Sequence, residues 1–384
     1  MTEAATKSML TADRDPILVL NSGSSSLKFG LYGSGDEDEE LLLEGSAEGV
    51  ERAEGMLRIS SAKGETLLCD DHVLESQQDA LQAIASAVAH YAQTACIAVG
   101  HRVVHGGPHL REHQLITPKL LAQLEGAVHF APLHIPQALK LIRQAQKIFP
   151  AVPHFVCFDD AFHATMPEVA THLPLPPRYF AQGVMRYGFH GISYESIVHR
   201  LGDTLPARAV FAHLGNGASV AAIHDGRSID TSMGLTPTGG VPMGTRSGDL
   251  DPGVLLYLMR TESLNADTLE DLLNRHSGLA GFADGESDMQ QILQRAAAKD
   301  ADAELAVEAF TVAVRKYIGA YAALMGGIDL LVFTGGIGQH SGEIRERICE
   351  GLEFLDLGVS SIRVKTMPTE EERQIARHCR RLLS

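Results

Sequence analysis

Two arginines flanked by glycines are the residues of this sequence best suited to hold an anion. Arg102 lies in His101-Arg102-Val103-Val104-His105-Gly106-Gly107 and Arg246 in Met243-Gly244-Thr245-Arg246-Ser247-Gly248-Asp249. A guanidinium forks onto carboxylate or phosphate oxygens, and neighbouring glycines let a ligand come close. Taken alone, each is equally a surface arginine in a loop. Three small-residue turns follow apolar runs: Asn21 to Lys28 (NSGSSSLK), His213 to Ser219 (HLGNGAS) and Thr334 to Gly338 (TGGIG). Such turns offer backbone N–H groups to phosphate oxygens and add hydroxyl and amide donors. None has the spacing of a P-loop or of a Rossmann turn opening a helix, so a tight hairpin is the plain alternative for each.

Phe158-Asp159-Asp160-Ala161-Phe162-His163 sets carboxylates at the end of an apolar run, where sites collect in α/β sheets. An aspartate there also caps helices. Tyr187-Gly188-Phe189-His190-Gly191 holds a histidine between glycines, which is either catalytic or structural. His101, His105, His109 and His113 recur every four residues, as metal ligands on one helix face would. Gly106-Gly107-Pro108 breaks any such helix, so no metal cluster is expected there. The five cysteines, Cys69, Cys96, Cys157, Cys349 and Cys379, have neither paired nor zinc-like spacing. A disulfide framework is therefore not expected, and a reducing cytoplasm fits.

These residues need strands and helices to hold them. A polar tail, 1–15, precedes a short buried strand, Ile17 to Leu20, and a second strand, Leu27 to Tyr32. The acidic run Asp36 to Glu40 reads as a solvated hairpin tip before Leu41 to Leu43. Helical periodicity covers about Gln77 to Gln93 and Pro136 to Lys147, each followed by a strand, Ile97 to Val99 and His154 to Phe158: the alternation of an α/β lobe. Beyond the proline-rich Leu173 to Arg178, the strand Ala209 to Ala212 runs into the second small-residue turn and out through Val220 to Ile223. Ile17 to Phe29 and Ala209 to Ile223 thus share strand, turn, strand, an internal duplication that would give two related lobes. The last third adds a helix from about Ala303 to Met325, a strand Leu330 to Phe333, a glycine turn, a helix near Ile344 to Leu352 and an amphipathic helix from about Glu370.

With 384 residues the chain is long enough for two cores. Thirty-two basic against 48 acidic residues give a net charge of −16, which argues against nucleic acid or an anionic membrane as partner. An anionic substrate must therefore find a local basic site. The first residues lack an apolar export segment, and nowhere do 18 apolar residues run together.

Jointly, NSGSSSLKF, GHRVVHGG, APLH, FDDAFHATMP, RYGFHG, HLGNGAS, TSMGLTPTGGVPMGTRSGDLDPG and TGGIG resemble the acetate kinase family, in order from Ile17 onward. The resemblance implies an α/β fold of two duplicated ribonuclease-H-like lobes of the acetate and sugar kinase and actin superfamily, with an interlobe active-site cleft. It implies a first lobe of 16–160 plus 366–384 and a nucleotide-binding second lobe of 161–365. The implied activity is reversible, Mg2+-dependent phosphoryl transfer from ATP to acetate, giving acetyl phosphate and ADP, with Mn2+ able to replace Mg2+, in a cytoplasmic homodimer.

By the same resemblance, Asn21 and Glu371 match metal-holding positions and Arg102 the carboxylate-binding arginine. Val104, Leu133, Phe189 and Pro237 match the wall around the substrate methyl group. Asp159 matches the catalytic carboxylate, His190 and Arg246 the groups that stabilise the transferring phosphoryl, and His134 a further active-site histidine. His213, Leu214, Gly215, Asn216 and Gly217 match a phosphate loop; Asp288, Met289, Gln290 and Gly336, Ile337, Gly338, Gln339, His340 match adenosine segments. Lys28 is a further phosphate-neutralising candidate whose direction strand alternation leaves open. A loose phosphoryl-transfer transition state needs positioning and charge neutralisation, which these groups supply. An ionised carboxylate nucleophile leaves Asp159 no proton to remove, so its implied task is to position groups or metal.

The chain departs from the family pattern in three places. Asp288-Met289-Gln290 stands where Asp-x-Arg is usual, Gln339-His340 where Glu-Asn is common, and the stretch between Phe354 and Pro368 is shorter. Nucleotide preference is the property these departures would alter. Propionate or butyrate kinase is the nearest rival, since one methylene is worth only about 1–3 kcal/mol in an apolar pocket. A polyphosphate phosphatase or sugar kinase would lack the paired arginines' carboxylate acceptor. A nucleotide-gated interaction module would need no acceptor site at all.

Overall fold

The computed structural model describes residues 15–22, 26–36, 38–50, 55–71, 74–92, 95–358, 361 and 363–384. The expected tail up to residue 14, and Gly23 to Ser25 of the first small-residue turn, lie outside them. Contacts divide the chain into two compact units, Met1–Ala161 with Glu370–Ser384, and Phe162–Thr369.

The first unit is built on an eight-stranded sheet. Its strands are β1 (Ile17–Ser22), β2 (Ser26–Ser34), β3 (Glu39–Glu48), β4 (Met56–Ser61), β5 (Thr66–Asp71), β6 (Ala98–Val103), β7 (Gln114–Leu115) and β8 (His154–Phe158), in the order β5-β4-β3-β2-β1-β6-β8-β7. β1 to β5 form an antiparallel meander, whereas β1, β6 and β8 are parallel. The first four residues of β1 and all of β8 are buried, which is why they read as unbroken apolar runs: parallel strands are covered on both faces. One face packs on helices Gln77–Ala92 and Ile135–Ile148. The latter buries Ile135, Ala138, Leu139, Leu141, Ile142 and Ala145, the apolar stripe of a helix lying on a sheet.

Helix Glu371–Leu383 returns to this unit and packs on β1 and β6. Gly100 in β6 permits it. A Cβ there would lie 2.7 Å from both Sγ of Cys379 and Cγ2 of Ile375, inside any real contact distance. The helix is also tied down by charge. Arg377 donates to both carboxylate oxygens of Asp38 at 2.7 and 2.5 Å, and Arg380 to both of Glu39 at 2.7 and 2.9 Å. The acidic run expected to be a solvated tip therefore grips the C-terminal helix, and Glu39 is only 7% exposed. Nothing local in the sequence discloses partners some 340 residues away.

The second unit has β9 (Arg208–Leu214), β10 (Ala218–His224), β11 (Arg227–Thr231), β12 (Leu330–Thr334) and β13 (Val364–Thr366), ordered β11-β10-β9-β12-β13. β9 to β11 are antiparallel neighbours, and β12 and β13 run parallel to β9. This repeats β3-β2-β1-β6-β8 strand for strand, so the duplication extends from the two hairpins to whole sheets. The glycines at 334–338 do not stay a turn. Gly335, at φ 76°, steps the chain sharply off β12, and helix Gly335–His340 follows. Among the described residues, no helix is long and apolar enough to cross a membrane.

Candidate active site

Asn21, Arg102 and Asp159 in the first unit, and His213 to Gly217 and Gly336 to His340 in the second, lie at the carboxyl ends of parallel strands, where α/β sheets place ligands. In the first unit Asn21 and Arg102 are the penultimate residues of β1 and β6, and Asp159 follows β8. Arg102 donates through Nη2 to Oδ2 of Asp159 at 2.8 Å and through Nη1 to Oδ1 of Asn21 at 3.4 Å. Its Nε lies 3.8 Å from Glu371, in the first turn of the returning helix. Asn21 Nδ2 donates to Glu372 at 2.9 Å and to Glu371 at 3.4 Å. Lys28 is the antiparallel partner of Asn21, so the two share a face, and the direction that alternation left open is settled.

Burial sets the electrostatics here. Asp159 is 1%, Arg102 17% and Glu371 14% exposed. Desolvation works against the charge on Arg102, but Asp159 and Glu371 outweigh it and hold the guanidinium more firmly protonated than usual. Glu371 goes the other way. Burial raises it, Arg102 pulls it down, Asp159 and Glu372 push it up again, and its pKa stands at about 7.

Val104 is half-buried two residues beyond Arg102, and Leu133 and His134 are half-buried at the start of helix Ile135–Ile148. Phe189 and Pro237, the other two residues expected at the pocket wall, belong to the second unit and are buried there.

In the second unit, His190 precedes helix Gly191–Leu201 at φ 60°, ψ 23°, a left-handed conformation rare for a residue with a Cβ and common at functional positions. Its Nδ1 pairs with Ser219 Oγ at 2.8 Å, and its ring stacks on His213 at 4.1 Å. Gly217 comes close to both phosphoryl candidates: a Cβ on it would sit 3.2 Å from His190 Nε2 and 3.5 Å from Arg246 Nη1. A side chain at 217 would thus occupy the space beside His190 and Arg246. Arg246 Nη1 also donates to the carbonyl of Pro237 at 3.2 Å. His163 uses both ring nitrogens, on Ser228 Oγ and on the Phe189 carbonyl, and so fixes the backbone just before His190.

The turn Leu214 to Gly217 meets the helix after β12, since a Cβ on Gly215 would be 3.7 Å from Gly336 N and one on Gly335 2.6 Å from the Leu214 carbonyl. A Cβ on Gly336 would meet nothing within 4 Å, so its surroundings are open. Arg345 Nη1 donates to the carbonyls of Gly338 and Gln339 at 2.9 and 2.8 Å, while the His340 side chain is exposed. Asp288 caps helix Met289–Ala297 through the Gln290 N–H, and Gln290 is exposed.

The sequence reading passed over three partners of these residues. Ser219 lies inside HLGNGAS, but only the pairing of β9 with β10 puts it against His190. Glu372 is visible as a second acid after Glu371, a signal that a first-turn preference for acids also explains. Arg345 gives no local signal.

The paired β-meanders with appended parallel strands, each carrying charged groups at its carboxyl edge, define a protein of the duplicated actin-like ATPase class. Within that class the relatives are specific. The sequence model of the Acetokinase family matches residues 16–378, and the chain belongs to that family. Among curated relatives, acetate kinase of Coprothermobacter proteolyticus is 42% identical, covering 94% of this chain and 97% of that protein. Acetate kinase of Methylocella silvestris is 41% identical, covering 96% and 98%. Among solved structures, Porphyromonas gingivalis acetate kinase superposes with a TM-score of 0.84 at 36% identity over 96% of this chain and all of that one. A Francisella tularensis propionate kinase gives 0.87 at 34% identity over 95% and 98%.

Proposed function

We propose that the chain is an acetate kinase, transferring the γ-phosphoryl group of ATP to acetate and running in reverse from acetyl phosphate and ADP. The observation that carries this reading is the convergence of Arg102, Asp159, Asn21 and Glu371 at one sheet edge in a chain that matches the family along its length. Arg102, held charged, is suited to the acceptor carboxylate. Val104 and Leu133, in the same unit as Arg102, are apolar groups suited to the acceptor's methyl group. His190, oriented by Ser219, and Arg246 bear on the charge that spreads over the transferring phosphoryl, with Gly217 leaving room beside them. His213 to Gly217 and Gly336 to His340 cradle the nucleotide, with Asp288 to Gln290 at the adenosine. Lys28, on the same face as Asn21, would neutralise a phosphate, and His134 is a further active-site histidine.

The residues of the first cluster fit Mg2+. Asn21, Glu371 and Asp159 offer hard oxygen donors, and a carboxyl driven to about 7 by burial and neighbouring acids gains from a divalent cation beside it. Asn21 and Glu371 would hold the ion, which when bound neutralises phosphate charge. Asp159 keeps Arg102 oriented, and Arg102 orients the acceptor.

The protein acts as a cytoplasmic homodimer in this reading. Helix Pro252–Thr261 supports the dimer: it buries none of its residues, and Val254, Leu256, Tyr257 and Met259 are 40–63% exposed, a dense apolar surface for a protein to leave in water.

Trapping acyl phosphate with hydroxylamine, in the presence of ATP and Mg2+, tests the activity and ranks acetate, propionate and butyrate. Wild type should favour acetate, and Arg102→Ala should lose saturation by the acid. Product from none of the acids, with ATP still bound, would overturn the proposal.

A further inference from the structure

Val103 is the last residue of β6, and the Asp159 N–H on its carbonyl, at 2.9 Å, is the final rung between β6 and the chain leaving β8. Val104 therefore lies beyond the sheet, and ladder hydrogen bonds do not hold it. Strand alternation nevertheless continues through it: His101, Val103 and His105 are buried, whereas Arg102 and Val104 are half-buried on the opposite face.

The same alternation operates at the end of β8. Asp159 turns to Arg102, and Asp160 turns the other way, to His105. His105 and Asp160 are both fully buried, with Nδ1 and Oδ2 3.1 Å apart. Among the described groups, the His105 Nδ1, when it carries a proton, is what can donate to Asp160, whose two oxygens have no other hydrogen-bond partner. The Gly107 nitrogen lies 3.0 Å from the same Nδ1, where the chain turns at φ 68°; Nδ1 accepts that N–H only when it carries no proton, and donates to Asp160 only when it does, so the two contacts are alternatives. On its other side the His105 ring packs on Phe130 at 5.7 Å, three residues before Leu133.

We infer that Asp160 and His105 form a positioning pair that sets the acyl-pocket wall from behind. Two consecutive aspartates grip two residues of one segment from opposite faces: Asp159 fixes the arginine that takes the carboxylate, and Asp160, through His105, fixes Val104. The Phe130 contact extends the hold to the turn carrying Leu133. Neither member of the pair touches substrate. The depth of the pocket, and hence the ranking of acetate against propionate, depends on them. The inference rests on the acyl-pocket reading of Val104 and Leu133 above.

The test compares wild type, Asp160→Asn, and the double variant Asp160→Asn/His105→Gln, reading KM for acetate, KM for ATP, and the ratio of kcat/KM for acetate to that for propionate. A thermal unfolding midpoint accompanies each. The double variant strands no buried charge and decides the matter if the single one fails to fold. The expected result is an acetate KM raised about tenfold and a selectivity ratio moved at least about fivefold, within what one methylene in an apolar pocket allows, with KM for ATP little changed. A merely structural pair would lower activity on both acids equally. A folded double variant with an unmoved ratio overturns the inference, and so does one that cannot fold, since the pair would then be a requirement of the core. Arg102→Ala is measured alongside. If it leaves acetate saturation intact, the acyl-pocket reading falls and this inference with it; if it abolishes saturation while the ratio stays fixed, this inference alone falls.

Discussion

At Glu371, burial and a crowd of charges set the state of a single carboxyl. Its folded pKa of about 7 lies above the ordinary 4.5, so the folded protein holds this proton more tightly than the unfolded chain. The group's contribution to stability is therefore most favourable below about pH 4.5, declines as pH rises towards 7, and is fully lost above that. A divalent cation reverses the preference by favouring the carboxylate. Binding of Mg2+ with nucleotide should accordingly expel close to one proton from Glu371 at pH 6 and almost none at pH 8. Calorimetry in buffers of different ionisation enthalpy measures this, with Glu371→Gln subtracting the protons lost by the nucleotide itself. Equal proton release by wild type and Glu371→Gln at pH 6 would remove Glu371 from the metal site.

At the scale of elements, one glycine decides whether the helix carrying Glu371 can lie on its sheet. Gly100→Val puts side-chain atoms where Cys379 Sγ and Ile375 Cγ2 now are, so the helix must lift. Overpacking of this kind costs about 1–3 kcal/mol. The expected outcome is a lowered midpoint together with weakened metal binding, because Glu371 moves with the helix. Full metal affinity at a lowered midpoint would show that the helix is not what positions that carboxylate. The strands bearing the candidate site were legible from sequence, since buried parallel strands such as β8 and β12 leave unbroken apolar runs bounded by small residues. Asn21, Arg102 and Asp159 could be singled out because each stands at the end of such a run or beside glycines. What stayed hidden depends on register and long-range pairing: Ser219 against His190, Asp38 and Glu39 against Arg377 and Arg380, Asp160 against His105. The last glycine run misled because its composition suits a turn as well as the start of a helix, and only the φ of Gly335 distinguishes them.

For the whole molecule, strand order records a duplication that sequence showed only as two similar hairpins; the full five-strand match needs β6, β8, β12 and β13, whose segments share no obvious pattern. The apolar helix Pro252–Thr261 belongs to this scale as well. Leu256→Glu with Tyr257→Lys should leave the thermal midpoint of each protomer's core little changed while halving the mass seen in sedimentation at micromolar concentration. A variant that still sediments at twice the protomer mass would place the contact elsewhere. The returning helix has a further consequence, for synthesis on the ribosome. Some 268 residues separate the end of β6 from Glu371, which at roughly 5–20 residues per second is about 13–54 s of translation. Throughout that interval the strip of β1 and β6 around Gly100 has emerged without the helix that covers it. The nascent first unit must wait with an apolar face uncovered and Glu371 not yet made, so a chain interrupted before the helix would be prone to associate.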